Sequence, residues 1–366
     1  MRFIKRKETA FDEVFTLRFP NGFAVELMFL RITVKVQKNG TMSKLAIITN
    51  GGENMLKIGM LGTWHVHTEG YAREFKNTGK CEISAVWDHD AVRGKEKADK
   101  LGCAFYDDLD AFLASGLDGV CCCTETNLHP EVLTKAARAG VNIFTEKVLA
   151  ATVGDAERVA DEIKKSGVKF CISFPWRSRG DFRWIKEKVD EGLFGDISYM
   201  RMHNSHDGVS SGWLPAGFLD PVPTCGGAMM DLGAHGMYML NWIMGEPAGV
   251  NSSFTNFMCK TVEDNCVSVL TYKNGAIGVS ETSFVAHRDP FKLEISGTKG
   301  SVLCGWDDGR MCYNLGDGWV YPNIPKNAPS PVEMFVDDVL GGEKSEYGVD
   351  DAVMLTKTMA AAYAVG

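Results

Sequence analysis

From Leu56 to about Pro175 the chain alternates short apolar runs with amphipathic stretches, and no other feature narrows its fold so far. The runs "LKIGML", "CEISAVWD", "CAFYDD", "DGVCCCT", "VNIFTEK" and "VKFCISF" have the length and apolar character of buried strands. Between them "HTEGYAREFKNT", "VRGKEKADKLG", "LDAFLASG", "PEVLTKAARAG" and "DAERVADEIKKSG" read as helices. A strand, a helix and a second strand form a crossover, and the two strands lie parallel with the helix over one face. Residues 55–175 are therefore expected to form an α/β domain on a doubly wound parallel sheet. Its ligand crevice should lie at the carboxyl ends of the strands.

The pattern shifts after Pro175. A helix at "FRWIKEKVDEG" is followed by "DISYMRMHNS", a loop rich in Gly and Pro, and "GGAMMDLGAHGMYMLNWIMG". Alternating runs then flank turn signals at Asn274-Gly275 and Lys299-Gly300, as in an antiparallel sheet. Residues 176–366 read as an α+β domain for substrate and oligomer contacts, its last helices placed to pack back on the first domain. Residues 1–54 alternate around Pro20-Asn21-Gly22 and suit a β-rich extension; the other reading is a start site misassigned ahead of Met55.

The 366 residues exceed the usual size of one hydrophobic core, so two domains are expected. No apolar run approaches the roughly 18 residues of a membrane span, and "MRFIKRKETAFDE" lacks the apolar core of a signal peptide. A cytoplasmic location is expected. The eleven cysteines include Cys121-Cys122-Cys123 but no Cys-x-x-Cys pair, so reduced buried thiols are the reading. The net charge of −8 divides into +4 for residues 1–54 and −12 for the rest, and an acidic body excludes nucleic acid as a partner.

The first turn reads "GMLGTWHVH". Of the Gly-x-Gly-x-x-Gly fingerprint only Gly62 remains, with Trp64 and His67 at the other two glycine positions. Asp88 ends the second strand 26 residues later, where a carboxylate binds ribose hydroxyls and repels a 2′-phosphate, which favours NAD; an ordinary turn aspartate is the alternative. Thr124 and Glu146-Lys147 end later strands and point to the same crevice. Asp231 and His235 are spaced i, i+4 on one helix, a spacing suited to a carboxylate that orients a general base or to a structural hydrogen bond. Arg177 can hold a polar substrate or pair with a carboxylate, and His203 and His206 follow a strand that borders the site. His65 and His67 face the same side of an extended segment, but with no third ligand nearby in sequence no metal is assigned.

Taken in order, "LKIGMLG", "AVWDHD", "CTETNLH", "FTEKVLA", "CGGAMMDLGAHGMYML", "VEDNCVSVLTYKNGAIG" and "ISGTKGSV" resemble the motifs of the glucose-fructose oxidoreductase, inositol dehydrogenase and MocA family. The resemblance covers Leu56 to the C-terminus. It implies NAD held by Gly62, Thr63, Trp64, His65, Asp88, Thr124, His129, Glu146 and Lys147, and a polyhydroxylated small molecule met by Arg177, His206 and Tyr238. It also implies catalysis by Lys147, Asp231 and His235, and a homo-oligomer. Three further positions depart from the pattern: Glu125 and Val148 replace prolines, Tyr238 stands where an aspartate is often found, and Val148 argues against a cis peptide. The activity implied is NAD-dependent oxidation of a secondary hydroxyl on a sugar, glycoside or cyclitol, with C3 of a glycoside one candidate. The competing readings are glycoside cleavage through transient oxidation, a nucleotide or sugar sensor without catalysis, and a metal enzyme built on His65 and His67. With Trp64 barring close backbone approach, the dinucleotide is expected to be displaced, its pyrophosphate walled by Trp64 and by His65 or His67.

Overall fold

The computed structural model describes residues 55–287, 291–305 and 310–364 with their side chains, and five strands within residues 2–46 by their backbone. Met1–Met55 and Leu56–Gly366 are two compact units. In the first, β1 (Arg2–Lys7), β2 (Glu13–Arg18), β3 (Ala24–Met28), β4 (Thr33–Lys38) and β5 (Thr41–Ala46) form an antiparallel meander in chain order. β2 and β3 pair with Arg18 opposite Ala24; the Pro20-Asn21-Gly22 turn between them lies outside the described residues.

The second unit opens with a six-stranded parallel sheet. Its strands are β6 (Leu56–Leu61), β7 (Cys81–Trp87), β8 (Ala104–Tyr106), β9 (Gly119–Cys122), β10 (Asn142–Thr145) and β11 (Phe170–Ile172). Their spatial order is β11-β10-β9-β6-β7-β8, all parallel. The connections α1 (Thr68–Asn77), α2 (Ala91–Leu101), α3 (Leu109–Leu113), α4 (His129–Arg138) and α5 (Val153–Ser166) are helices. The winding reverses between β6 and β9, so the crevice opens beyond Leu61 and Cys122, which lie side by side. Continuous burial of Ile58, Met60, Leu61, Val120, Cys121 and Cys122 on both faces explains the unbroken apolar runs. All eleven cysteines are free thiols, and those of Cys121 and Cys123 share one face of the strand end.

Beyond α6 (Gly180–Asp190) an eight-stranded sheet runs in the order β13-β14-β15-β12-β16-β17-β18-β19. Its strands are β12 (Ile197–Ser205), β13 (Gly249–Thr255), β14 (Asn265–Thr271), β15 (Ile277–Ser283), β16 (Lys292–Gly297), β17 (Ser301–Cys304), β18 (Cys312–Asn314) and β19 (Trp319–Val320). Only the β12–β15 pair is parallel. Gly275, at φ +88°, makes the turn from β14 to β15, and β14 alternates exposed and buried residues. A short helix, α7 (Pro221–Thr224), precedes α8 (Ala234–Met244), which covers one face of the sheet. Because α8 lies between the sheet and α10 (Val349–Tyr363), it is apolar on nearly all sides. α9 (Pro331–Val339), started by a Ser330–Glu333 capping box, packs on β10, β11 and α1, and α10 packs on α5 and α8. Among the described residues no helix is long and apolar enough to cross a membrane.

Just before α8 the chain makes a π-helical turn, Met229–Gly233. Its amino end is pinned by Glu263, whose Oε1 accepts from Gly227 N at 2.7 Å and Met229 N at 3.3 Å and also receives the Tyr363 hydroxyl. Leaving those buried amide groups without an acceptor costs about 1–3 kcal/mol each. Glu263→Ala is therefore expected to lower the unfolding free energy by about 2–4 kcal/mol in urea titration, and Glu263→Gln, which keeps an acceptor, by less.

Candidate active site

Gly62 ends β6 with φ +79°, and a Cβ there would lie 2.7 Å from the Cα and 2.8 Å from the N of Thr124. The first glycine is thus required by backbone crossing at the sheet's reversal point. Thr63 turns toward Asp88, giving its amide at 2.8 Å and its hydroxyl at 2.6 Å to Oδ2. Arg93 meets the same carboxylate with Nε at 2.9 Å and Nη2 at 2.6 Å, and the Asp90 amide adds a fifth bond. Burial opposes ionisation of Asp88, but the Arg93 and Thr63 hydrogen bonds outweigh it and hold the carboxyl below its ordinary range. Arg93 also reaches Glu125 at 2.9 Å. The sequence marks Arg93 only by its position in the first turn of the helix after Asp88.

The next residues do not line the turn in one row. Trp64 stacks on Phe218 of the second domain, with ring centroids 4.6 Å apart and planes at 14°. His65 is buried, its Nδ1 accepting from His67 N at 3.2 Å, and burial lowers its pKa to about 4. His67 Nδ1 donates to Glu146 Oε1 at 2.5 Å, and the Tyr71 hydroxyl donates to the same oxygen at 2.5 Å. Despite full burial, His65, His67 and Lys147 keep Glu146 ionised, well below the usual carboxylate range. The ligand atoms of His65, His67 and Glu146 lie within 4.8 Å of one another, so the sequence-distant Glu146 is the third ligand that local spacing could not reveal. Tyr71, four residues after His67 on α1, carries no sequence signal of this role beyond its helical spacing from His67.

Lys147 is buried and gives its Nζ to Asp231 Oδ1 at 2.7 Å and to the Asp231 carbonyl at 3.0 Å. Burial works against the ammonium, but Asp231 and Glu146 raise its pKa above the ordinary lysine value. The Asp231 carboxyl, opposed by burial, is carried down to about 2 chiefly by Lys147. The Lys147–Val148 peptide is cis, contrary to the expectation from valine, and the Val148 carbonyl receives His129 Nδ1 at 2.8 Å. His129, expected at the cofactor, thus braces this loop from behind. Thr124, buried, packs against Gly62.

Asp231 does not orient His235. The π turn takes the backbone out of the 3.6-residue register that would stack i on i+4, and the partner of His235 Nδ1 is the Tyr238 hydroxyl at 3.0 Å. Tyr238 accepts from Trp176 N at 3.2 Å, and its buried O–H proton finds an acceptor only by donating to His235 Nδ1 among the described residues. The imidazole then carries its hydrogen on Nε2. Burial and the Lys147 charge lower its pKa to about 3, and Trp176 stacks on the ring at 4.8 Å.

The three expected substrate residues separate. Tyr238 is buried behind His235 against Phe174, with ring centroids 4.3 Å apart. Arg177 is drawn the other way, to Asp351 at 3.1 Å and over the Tyr347 ring at 4.9 Å, and clamps α10. His206 stays near the site, stacked on Phe284 and bonded through Nδ1 to Gly208 N at 3.0 Å. A cavity of only about 20 Å³ lies over Lys147 and Asp231, closed by Trp64, His65 and Phe218. A groove of about 800 Å³ runs along the outer side of α1, from His67 and Tyr71 to Asn327 and Ser330. It is larger but farther from the Lys147–Asp231 pair.

His235 is neutral in the fold and takes a proton far more readily when unfolded, so its contribution to stability is full above pH 6.5 and is lost as pH falls toward 3. Between pH 7 and pH 5 this group alone should remove about 2 kcal/mol. Unfolding free energies of the parent and His235→Asn are expected to converge by about that amount at pH 5; parallel pH curves would contradict the buried neutral imidazole.

Residues 56–174 match the family model described as "Oxidoreductase family, NAD-binding Rossmann fold", and residues 182–303 match the "GFO/IDH/MocA C-terminal domain". The chain is 29% identical over 259 residues to a myo-inositol 2-dehydrogenase of Thermotoga maritima, covering 68% of this chain and 75% of that one. It is 26% identical over 248 residues to the D-glucoside 3-dehydrogenase of Escherichia coli, covering 63% and 70%. Among solved structures, the WlbA dehydrogenase of Bordetella pertussis, in complex with NADH and UDP-GlcNAcA, superposes with a TM-score of 0.74 at 19% identity over 85% of this chain and 96% of that one.

Proposed function

The chain belongs to the GFO/IDH/MocA family of oxidoreductases with an NAD-binding Rossmann domain, and we propose that it oxidises a secondary hydroxyl of a sugar, glycoside or cyclitol. The observation that carries this reading is the buried Lys147 paired with the partly exposed Asp231 beside a neutral His235, at the carboxyl edge of the parallel sheet. A sensor without catalysis has no use for a buried lysine, carboxylate and imidazole held together. Similarity to inositol and glucoside dehydrogenases supports a polyhydroxylated ring as substrate, and the glucoside relative favours C3 of a glycoside as the carbon oxidised.

NAD, when bound, supplies the hydride acceptor. Lys147 Nζ and the Nε2–H of His235 offer two hydrogen-bond donors to the substrate oxygen, where negative charge grows as hydride leaves the adjacent carbon. Because the resting tautomer makes His235 a donor, removal of the hydroxyl proton falls to Lys147 in its neutral form, and Asp231 holds that amine in place. Thr63, Asp88 and Arg93 serve the ribose end, with Arg93 moving aside to free carboxylate oxygens for the hydroxyls. Seating the dinucleotide also requires the Trp64–Phe218 stack to part, since the cavity beneath it holds about one water.

Lys147→Ala is expected to abolish NAD reduction across a panel of sugars, cyclitols and glycosides while NAD still binds by fluorescence titration; full activity would refute the assignment. Because Asp231 and Glu146 raise the lysine pKa, neutral Lys147 is scarce at pH 7, and kcat/KM for oxidation should climb about tenfold per pH unit from pH 7 to 9. Absorbance at the reduced-nicotinamide band during turnover separates this from glycoside cleavage, in which no NADH accumulates.

A further inference from the structure

We propose that His65, His67 and Glu146 form a binding site for one borderline divalent cation, of the Zn²⁺ class, at the amino end of α1. Two imidazoles and one carboxylate with open positions left for solvent are a donor set that such ions accept. In tetrahedral coordination with bonds near 2.0–2.1 Å, neighbouring ligand atoms stand about 3.3 Å apart. His65 Nδ1 and Glu146 Oε1 are already 3.6 Å apart, and the two imidazole centroids are 4.6 Å apart. His67 Nδ1 is drawn in to 2.5 Å from Glu146 by its hydrogen bond. To admit the ion it must give up that proton to solvent and swing out by less than about 1 Å. His67 is free to do so, because its side chain is half-exposed, whereas Glu146 and His65 are fixed in the core.

The carboxylate is already oriented as a ligand. Its Oε2 accepts from Lys147 N at 3.0 Å, and Tyr71 holds Oε1 while itself lying 2.8 Å from Ser173 Oγ. Outer partners of this kind position a ligand and tune its affinity. Charge points the same way. The nearby lysine is committed to Asp231, so among the described residues Glu146 is a buried anion whose ion-pair contacts are His67 at 2.5 Å and His65 at 3.6 Å, the two imidazoles that would share a bound metal with it. His65 Nδ1 gives up only a long 3.2 Å contact from the His67 amide to bind the ion. The open coordination positions lie on the His67 side, where water or another anionic oxygen completes the shell.

The test uses the full chain, stripped with a chelator and titrated with Zn²⁺ alone by calorimetry, with Co²⁺ absorption as a geometric readout. One Zn²⁺ per chain is expected, with affinity weakened more than about tenfold in each of His65→Ala, His67→Ala and Glu146→Gln. His287→Ala, which removes an exposed histidine paired with Asp207, should leave binding unchanged. Circular dichroism and thermal melts separate loss of ligand from loss of fold, and His67→Ala, the half-exposed position, keeps the test valid if the buried variants unfold. Absence of stoichiometric Zn²⁺ binding by the parent chain, or equal binding by a folded His67→Ala, would overturn the proposal. NAD titration of the same samples is read separately, so failure of the metal site and failure of the dehydrogenase reading remain distinguishable.

Discussion

An ion pair with its lysine buried joins the two sheets of the second unit. Lys147 leaves the end of β10 and Asp231 sits in the turn before α8, and their contact of 2.7 Å encloses the lysine almost fully while the carboxylate keeps about a fifth of its surface exposed. An ammonium or a carboxylate buried alone costs several kcal/mol, so each residue needs the other in register. That requirement spreads outward. Glu263 holds the amide groups of the Asp231 turn, His129 holds the carbonyl that follows Lys147, and Tyr363 of α10 ties the C-terminal helix to Glu263.

The same low-dielectric pocket sorts its histidines. His235 and His65 are pressed toward neutrality by burial, whereas His67, half in solvent and touching Glu146, is the imidazole that keeps its proton to higher pH. Two carboxylates and one lysine leave the pocket one positive charge short, and its balance falls to His67 or to a cation bound in its place. Tyr238 adds a second constraint. An aspartate at that position would accept the His235 Nδ1 proton and free Nε2 as a base, but a hydroxyl already engaged by Trp176 donates instead.

Much of this was legible in the residues. Continuous apolar strands with helices between them dictate a parallel sheet, and the residues just past those strands, Gly62, Asp88, Thr124, Glu146 and Lys147, do converge on one edge. The failures are equally specific. The i, i+4 reading of Asp231 and His235 assumed a regular helix and met a π turn. Tyr238, expected at the substrate, finds its partner inward in His235, and of the two readings of Arg177 the structure shows the carboxylate pairing, with Asp351, beside the Tyr347 ring. No local pattern distinguishes an arginine facing substrate from one facing the carboxylate of a helix far along the chain.

Sequence alone determined the kind of sheet, where its crevice lies and which chemical groups stand near it, because strand periodicity and chain direction are local properties. Tertiary structure alone decided which groups touch: Asp231 with Lys147 rather than His235, Trp64 with Phe218, and Glu146 beside His65 and His67. Hydrogen bonds and ion pairs depend on separations of a few tenths of an ångström between residues far apart in the chain, as in Arg177 and Asp351, 174 positions apart. Such distances are set by the packing of whole elements and leave no trace in neighbouring residues.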